Sequence, residues 1–185
     1  MNRMMIDNAS SPAALIVYES MFGNTRRIAE AIAQGLQEQS VEVETWPVGI
    51  IDELTERMPL LIVGAPTHAH GLSRPRTRAE ARRWAQDPEQ HLIFDEQWRD
   101  VGIREWLSET RPRPERFAAF DTRAHLSPLF TGSAAHVIDR RLDRHRSNRI
   151  AHAESFFVDA HNQLESGEVD RARQWGRTIG TSLPA

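Results

Sequence analysis

The chain has 185 residues, enough to bury one good core and few for two, and its 39% hydrophobic and 26% charged content describes an ordinary globular protein. It has no cysteine, and all of its basic residues other than histidine are arginine, which excludes disulfides, thiolate metal sites, cysteine-ligated clusters, Schiff bases and lysine nucleophiles. A formal charge of -3 argues against a general nucleic-acid binder, and no apolar run approaches the roughly 20 residues that span a bilayer, so a cytoplasmic protein without membrane insertion is expected.

Residues 1–12 are polar and lack a signal-peptide core, so they read as a disordered lead-in to a single domain over 13–185. The apolar run 13–18 predicts a buried strand, and it leads directly into a segment where Ile28, Ile32 and Leu36 recur at helical spacing, predicting a helix over 25–39. Between them stand Ser20, Met21, Phe22, Gly23, Asn24 and Thr25. Small residues at a strand-to-helix junction leave backbone N–H groups free to face an anion, with the positive end of the helix dipole behind them. Arg26 and Arg27 sit badly at a helix N-terminus unless an anion is near. The plainer alternative is a turn in which Gly23 and Asn24 tolerate unusual backbone angles and Thr25 caps the helix.

Residues 41–46 alternate at period two, as a half-exposed edge strand does, and Ile50, Ile51 and Leu54 suggest a short second helix. The continuous run 59–65, closed by Pro66, predicts a central parallel strand buried on both faces. Residues 72–100 form an irregular insertion carrying one helix over about 76–85, with a surface excursion from Gln86 onward; another helix is predicted over 101–109. A fourth strand covers 117–120 and ends at Asp121, Ser133 looks like the N-cap of a further helix, and 150–158 holds a fifth strand interrupted at Glu154 and Ser155. Val169, Ala172, Trp175, Ile179 and Leu183 predict a closing amphipathic helix. Strands alternating with helices give an open, doubly wound parallel α/β sheet with helices on both faces, for which the five-stranded order 2-1-3-4-5 is a common solution.

Ligands of such sheets sit beyond the carboxyl ends of the strands, where strand order reverses. That rule selects three loops: Ser20 to Thr25, then Pro66, Thr67, His68, Ala69, His70 and Gly71, and finally the stretch from Asp121 through Thr122 and Arg123 to His125. At these residues the chain resembles the flavodoxin-like flavoproteins. Tyr18-Glu19-Ser20-Met21-Phe22-Gly23-Asn24-Thr25 is similar to their phosphate loop, most closely the form in the flavodoxin module of flavin-dependent diiron oxygen reductases. Gly64-Ala65-Pro66-Thr67-His68 looks like the second flavin loop, also seen in flavodoxin-like quinone reductases, and the segments around Glu154 and Gly167 resemble stand-alone bacterial flavodoxin-domain proteins.

The resemblance implies non-covalently bound FMN, its 5′-phosphate held by Ser20, Asn24, Thr25 and the N–H groups of residues 21–25, its ring near the second and third loops. It also implies a peptide flip at Gly71, and an effect of Asp121 on the reduced ring, although Asp121 reads equally as the start of a turn. A terminal phosphate is favoured over a pyrophosphate because no G-x-G-x-x-G pattern is present. Trp and Tyr are absent from the second and third loops, where many flavodoxins place one against the ring. His68 and His70 form an H-x-H pair, but no further ligand follows at metal spacing, so a metal site is not expected; contact with the ring and plain exposure both remain open for each. Arg74, Arg76, Arg78, Arg82 and Arg83 read first as a solvated face, or else as a receiver for an anionic partner or a pyridine-nucleotide phosphate. No acid/base pair or nucleophile stands out. The expected function is electron carriage with a redox partner protein; the alternatives are an FMN-dependent NAD(P)H:quinone-type reductase and a flavin-free scaffold on the same fold.

Overall fold

Continuous apolar runs become the middle strands here because only a strand covered on both faces has no polar side to present. β1 (Ala14–Tyr18) and β3 (Leu60–Pro66) run in parallel, Ala14 level with Leu60 and Tyr18 with Gly64. The alternating segment supplies β2 (Val43–Pro47), a partly exposed edge strand parallel to β1. β4 (Arg116–Ala124) flanks β3 on the other side. β5 (Asn148–Arg149) pairs with the beginning of β4 and β6 (Glu154–Val158) with its end, so two short strands share the fifth position of a sheet ordered β2-β1-β3-β4-β5. The interruption lies at residues 150–153, just before the Glu154-Ser155 pair where the sequence places it. The computed structural model describes residues 12–50, 58–68, 70–90, 92–98, 100–127, 132–144 and 147–184; the lead-in up to residue 11, the helix expected around Ile51 and Leu54, and Ala69 lie outside them.

Among the described residues the α-helices are α1 (Asn24–Gln37), α2 (Pro75–Gln86), α3 (Ile103–Thr110), α4 (Ala134–Asp143) and α5 (Glu168–Thr181). α1 and α5 bury Ile28, Ile32, Leu36, Ala172 and Ile179 against one face, with Ile16, Ile62 and Phe120 of the strands. α3 and α4 bury Trp106, Leu107, Ile138 and Leu142 against the other, with Leu15, Leu61 and Phe117. Each such side chain contributes about 1.5–3 kcal/mol by leaving water. Phe120 has room because Gly64 lies beside it: a Cβ there would fall 2.0 Å from the ring. Among the described residues no helix is long and apolar enough to cross a membrane.

The inner positions of α5 include Gly176 and Gly180 as well as the expected Ala172 and Ile179, whereas Val169 is exposed. The reason is a backbone-to-backbone contact with α1. A Cβ on Gly35 would lie 2.1 Å from the Arg173 carbonyl oxygen, and one on Gly176 would lie 2.3 Å from that of Ile32. Arg173 and Arg177 then pair with Glu38 just beyond the end of α1. Alanine is favoured over glycine by about 1 kcal/mol in a free helix. Here overpacking outweighs that gain, and Gly176→Ala is expected to lower stability by about 1–3 kcal/mol, read as a lower urea midpoint at unchanged slope. A raised midpoint would refute the close contact.

Candidate functional site

β1 ends at Tyr18, and the next residues part to opposite sides. Glu19 turns under the sheet, where its Oε2 accepts from the Ile103 N–H at 2.9 Å and caps α3; burial pushes its carboxyl above the usual range. Ser20 turns the other way, and its Oγ is buried with no hydrogen-bond partner among the described residues. Gly23 follows with φ +84°, a left-handed conformation suited to glycine, and serves as N-cap of α1. That helix has no side-chain cap and no acidic residue in its first turn. Its leading N–H groups therefore have no intrahelical acceptor, and Ser20 adds a hydroxyl beside them. An orphaned donor next to an uncapped helix start fits a phosphate group.

Ser20, Met21, Phe22, Asn24 and Thr25 line a cleft of about 600 Å³ at the carboxyl ends of the strands. The second loop adds Pro66, Thr67 and His68, and the end of β4 adds Thr122, Arg123 and Ala124. Two of the expected phosphate donors have protein partners: Asn24 Nδ2 donates to the Asn162 carbonyl at 2.7 Å, and Thr25 Oγ1 lies 2.8 Å from Thr122 Oγ1. Asn24 thus ties the first loop to the turn after β6, and Thr25 ties it to β4.

Gly23, His70 and Gly71 do not line the cleft. His68 and Gly71 close a tight turn, with the His68 N–H donating to the Gly71 carbonyl at 2.7 Å and the Gly71 N–H returning to His68 at 3.0 Å. His70 has a left-handed backbone there, φ +74°, and is exposed. A Cβ on Gly71 would meet only Val137, at an ordinary 3.5 Å. His68 and His70 therefore differ in environment, and among the described residues no group of three or more histidine or acidic side chains could hold a metal ion.

Asp121, Thr122 and Arg123 require a correction: they belong to β4, not to a loop after it. β4 continues because β6 pairs with it from Phe120 to Ala124. The Asp121 carboxylate is fully buried and does not face the cleft. Its Oδ2 accepts from Thr67 Oγ1 at 2.9 Å, Ser133 Oγ at 2.7 Å and the Ala135 N–H at 3.0 Å, at the start of α4. Ser133 caps α4 as its sequence suggests, accepting from the His136 N–H.

Arg26 also differs from expectation. Its anion is in the chain: Nε donates to Asp95 Oδ2 at 2.7 Å, and the Asp95 side chain is 1% exposed. The arginine run on α2 is mostly engaged as well. Arg78 is buried and donates to Ser73 Oγ and Glu105, Arg82 lies over the Trp98 ring and near Asp100, and Arg76 pairs with Glu80.

The rest of the cleft comes from residues that sequence reasoning passed over. Val158 and residues 160–163 line it, as do Trp84, Glu89 and Leu92. Trp84, at the end of α2, is 54% exposed, and it brings to the cleft the indole that the second and third loops lack. Its large apolar side chain on an otherwise polar helix was the available signal. Tyr18 donates to Gln97 Oε1 at 2.8 Å, and burial, with Asp95 nearby, pushes its pKa up to about 12.

Fold and cleft together define a doubly wound α/β protein with a cleft at its switch point. The chain has the flavodoxin-like fold. A model of the flavodoxin family matches residues 16–94, less than half of the chain. Flavodoxin 1 from Bacillus cereus superposes with a TM-score of 0.60 at 15% identity, covering 92% of this chain and 99% of that one. A flavodiiron core from Synechocystis gives 0.53 at 14% identity over 91% of this chain but 35% of its own. An uncharacterized protein of Methanocaldococcus jannaschii is 38% identical over 66 residues, a match spanning 32% of this chain and 16% of that protein.

Burial, with Arg78 adding its charge, pushes the pKa of His68 down to about 4 from 6.5. The fold therefore holds a neutral imidazole, and the unfolded chain binds more protons between these two values. The contribution of His68 to stability is complete above pH 6.5 and is lost as the pH falls toward 4. Replacing it, as His68→Gln, should remove a loss on the order of 2 kcal/mol from the acid limb. Urea titrations at pH 7 and pH 4.5 check this; parallel pH profiles for the two proteins would contradict it.

Proposed function

We propose that the cleft binds one molecule of FMN and that the protein carries electrons through it. The observation that carries this reading is Ser20 Oγ, buried, without a partner among the described residues, on a residue that lines the cleft at the uncapped start of α1. A hydroxyl left unsatisfied costs about 1–3 kcal/mol, and a phosphate oxygen relieves that cost. The N–H groups at the start of α1 add donors without adding charge. Thr67, His68 and Thr122 stand at the cleft with Trp84, bringing an imidazole and an indole to it for a heterocycle.

Bound there, the flavin supplies the redox chemistry. The protein's tasks are to hold the phosphate, to cover the ring and to keep a neutral imidazole beside it. His68 does the last at physiological pH because burial keeps it unprotonated. Electrons would pass to a redox partner protein, or to a small acceptor such as a quinone if NAD(P)H reduces the bound flavin directly.

The purified protein is expected to take up FMN with a visible flavin band and quenched flavin fluorescence. Ser20→Ala should weaken FMN by about tenfold or more while leaving riboflavin, which lacks the phosphate, little changed. No uptake of FMN by the unaltered protein would sink the reading. Anaerobic mixing with NADH or NADPH then separates the roles: rapid bleaching indicates a reductase, and inertness a carrier that needs a partner.

A further inference from the structure

Residues 94–98 belong to the excursion between α2 and α3, yet they lie against the outside of the phosphate loop. The Asp95 N–H donates to the Met21 carbonyl at 2.8 Å. Asp95 Oδ2 accepts from Arg26 in the first turn of α1, and Oδ1 accepts from the Gln97 N–H at 3.0 Å. Gln97 Oε1 in turn accepts from the Tyr18 hydroxyl at the end of β1. Phe22 meets the Phe94 ring at 5.4 Å between centroids, and Phe94 meets Trp98 at 5.3 Å. The segment thus grips the strand before the loop, the loop itself and the helix after it.

We propose that this segment is a clamp that sets the phosphate loop in its binding conformation, with Asp95 as the positioning residue. The proposal rests on the FMN reading above and goes beyond it by assigning loop geometry to residues some 70 positions away. Residues 21–23 form a bend with no regular structure, and Gly23 needs a left-handed φ. Such a bend has no ladder of its own to hold it. Its N–H groups converge on a phosphate only if something else fixes them, or else binding itself must supply the ordering. Asp95 fixes them from behind: its Oδ2 lies 3.8 Å from where a Gly23 Cβ would be.

The pairing also decides what Arg26 does. A guanidinium beside a phosphate loop would ordinarily be assigned to the phosphate. Here its Nε is bonded to a carboxylate that is almost wholly buried, which directs the side chain to the clamp. Asp95 in turn is neutralised by Arg26 and does not repel a dianion. The phosphate is then held by neutral donors, with the charged pair as their support.

Two views of Arg26 make opposite forecasts for Asp95→Asn. If Arg26 serves the phosphate, releasing it from Asp95 tightens FMN binding. If the clamp holds the loop, the same change weakens FMN by about tenfold for each loop residue set free, while riboflavin, which makes no use of the phosphate loop, changes by less than about twofold. Fluorescence titration of the full-length protein with FMN and with riboflavin reads both. Arg26→Gln should weaken FMN, and adding Asp95→Asn to it should cost little more, because the two residues act as one unit. Tyr18→Phe, which removes only the bond to Gln97, should show a smaller loss confined to FMN; it serves as the test if Asp95→Asn does not fold. Riboflavin binding reports that each variant is folded. Tighter or unchanged FMN binding in Asp95→Asn, or equal losses for FMN and riboflavin, would overturn the clamp. Failure of the unaltered protein to bind FMN while it still binds riboflavin would overturn the phosphate reading beneath it.

Discussion

The buried carboxylate of Asp121 is the constraint on which the ligand end of this molecule depends. One oxygen accepts from Thr67 of the second loop, from Ser133 and from the Ala135 N–H, so β4, the exit of β3 and the start of α4 meet at a single atom. Thr67 completes the knot, because its Oγ1 also accepts from the Ala134 N–H at 2.8 Å and its own N–H donates to the Thr122 carbonyl. A carboxylate at a helix N-terminus is favoured by the dipole, and a buried one is tolerable only with several donors. Both conditions hold. The consequence is positional: Pro66, Thr67 and His68 are fixed against the sheet, and His68 is delivered to the cleft.

The first loop is secured by different means. On the cleft side Asn24 bonds the turn after β6, and Thr25 bonds Thr122 of β4. On the outer side Asp95 bonds Met21 and Arg26. In the region between, Ser20 Oγ lacks a partner among the described residues. Glu19 Oε1 and Asp121 Oδ1 are also buried without a hydrogen-bond partner among the described residues, but neither residue lines the cleft as Ser20 does. On the FMN reading, the Ser20 hydroxyl is the donor that a phosphate oxygen would satisfy.

Much of the fold could be read in the sequence, because burial on two faces and helical stripes are properties of neighbouring residues. The runs 13–18 and 59–65 became β1 and β3, and the stripe from Ile28 to Leu36 became the inner face of α1. The first loop was legible for the same reason, since a strand, small residues and a helix follow one another along the chain. What could not be read were the long-range pairs. Asp121 takes its bonds from residues before and after it, and nothing in Phe120-Asp121-Thr122-Arg123 tells a strand that continues from a loop that begins. Arg26 could be seen to need an anion, but Asp95 stands 69 positions on and in a segment with no periodicity. Gly35 and Gly176 look like weak points of two helices until the two backbones are seen to touch.

The excursion after α2 joins these threads. In the sequence it looks like a surface insertion, since it has irregular hydropathy and its first half is punctuated by Pro88. In the structure Trp84 and Leu92 line the cleft while Phe94, Asp95 and Trp98 support the loop opposite, and Arg82 of α2 lies 4.6 Å over the Trp98 ring. α2 is itself held through Arg78, whose guanidinium bonds Ser73 and Glu105 across the segment. An indole reaching the cleft from outside the loops would be a poor ring platform if its helix were free to shift. Buried hydrogen bonds to a charged group are worth about 1.5–3 kcal/mol each and have narrow geometry, so they restrict that shift. On the FMN reading, Trp84 would supply the aromatic face that the second and third loops lack, and Arg78 restrains the helix that carries it.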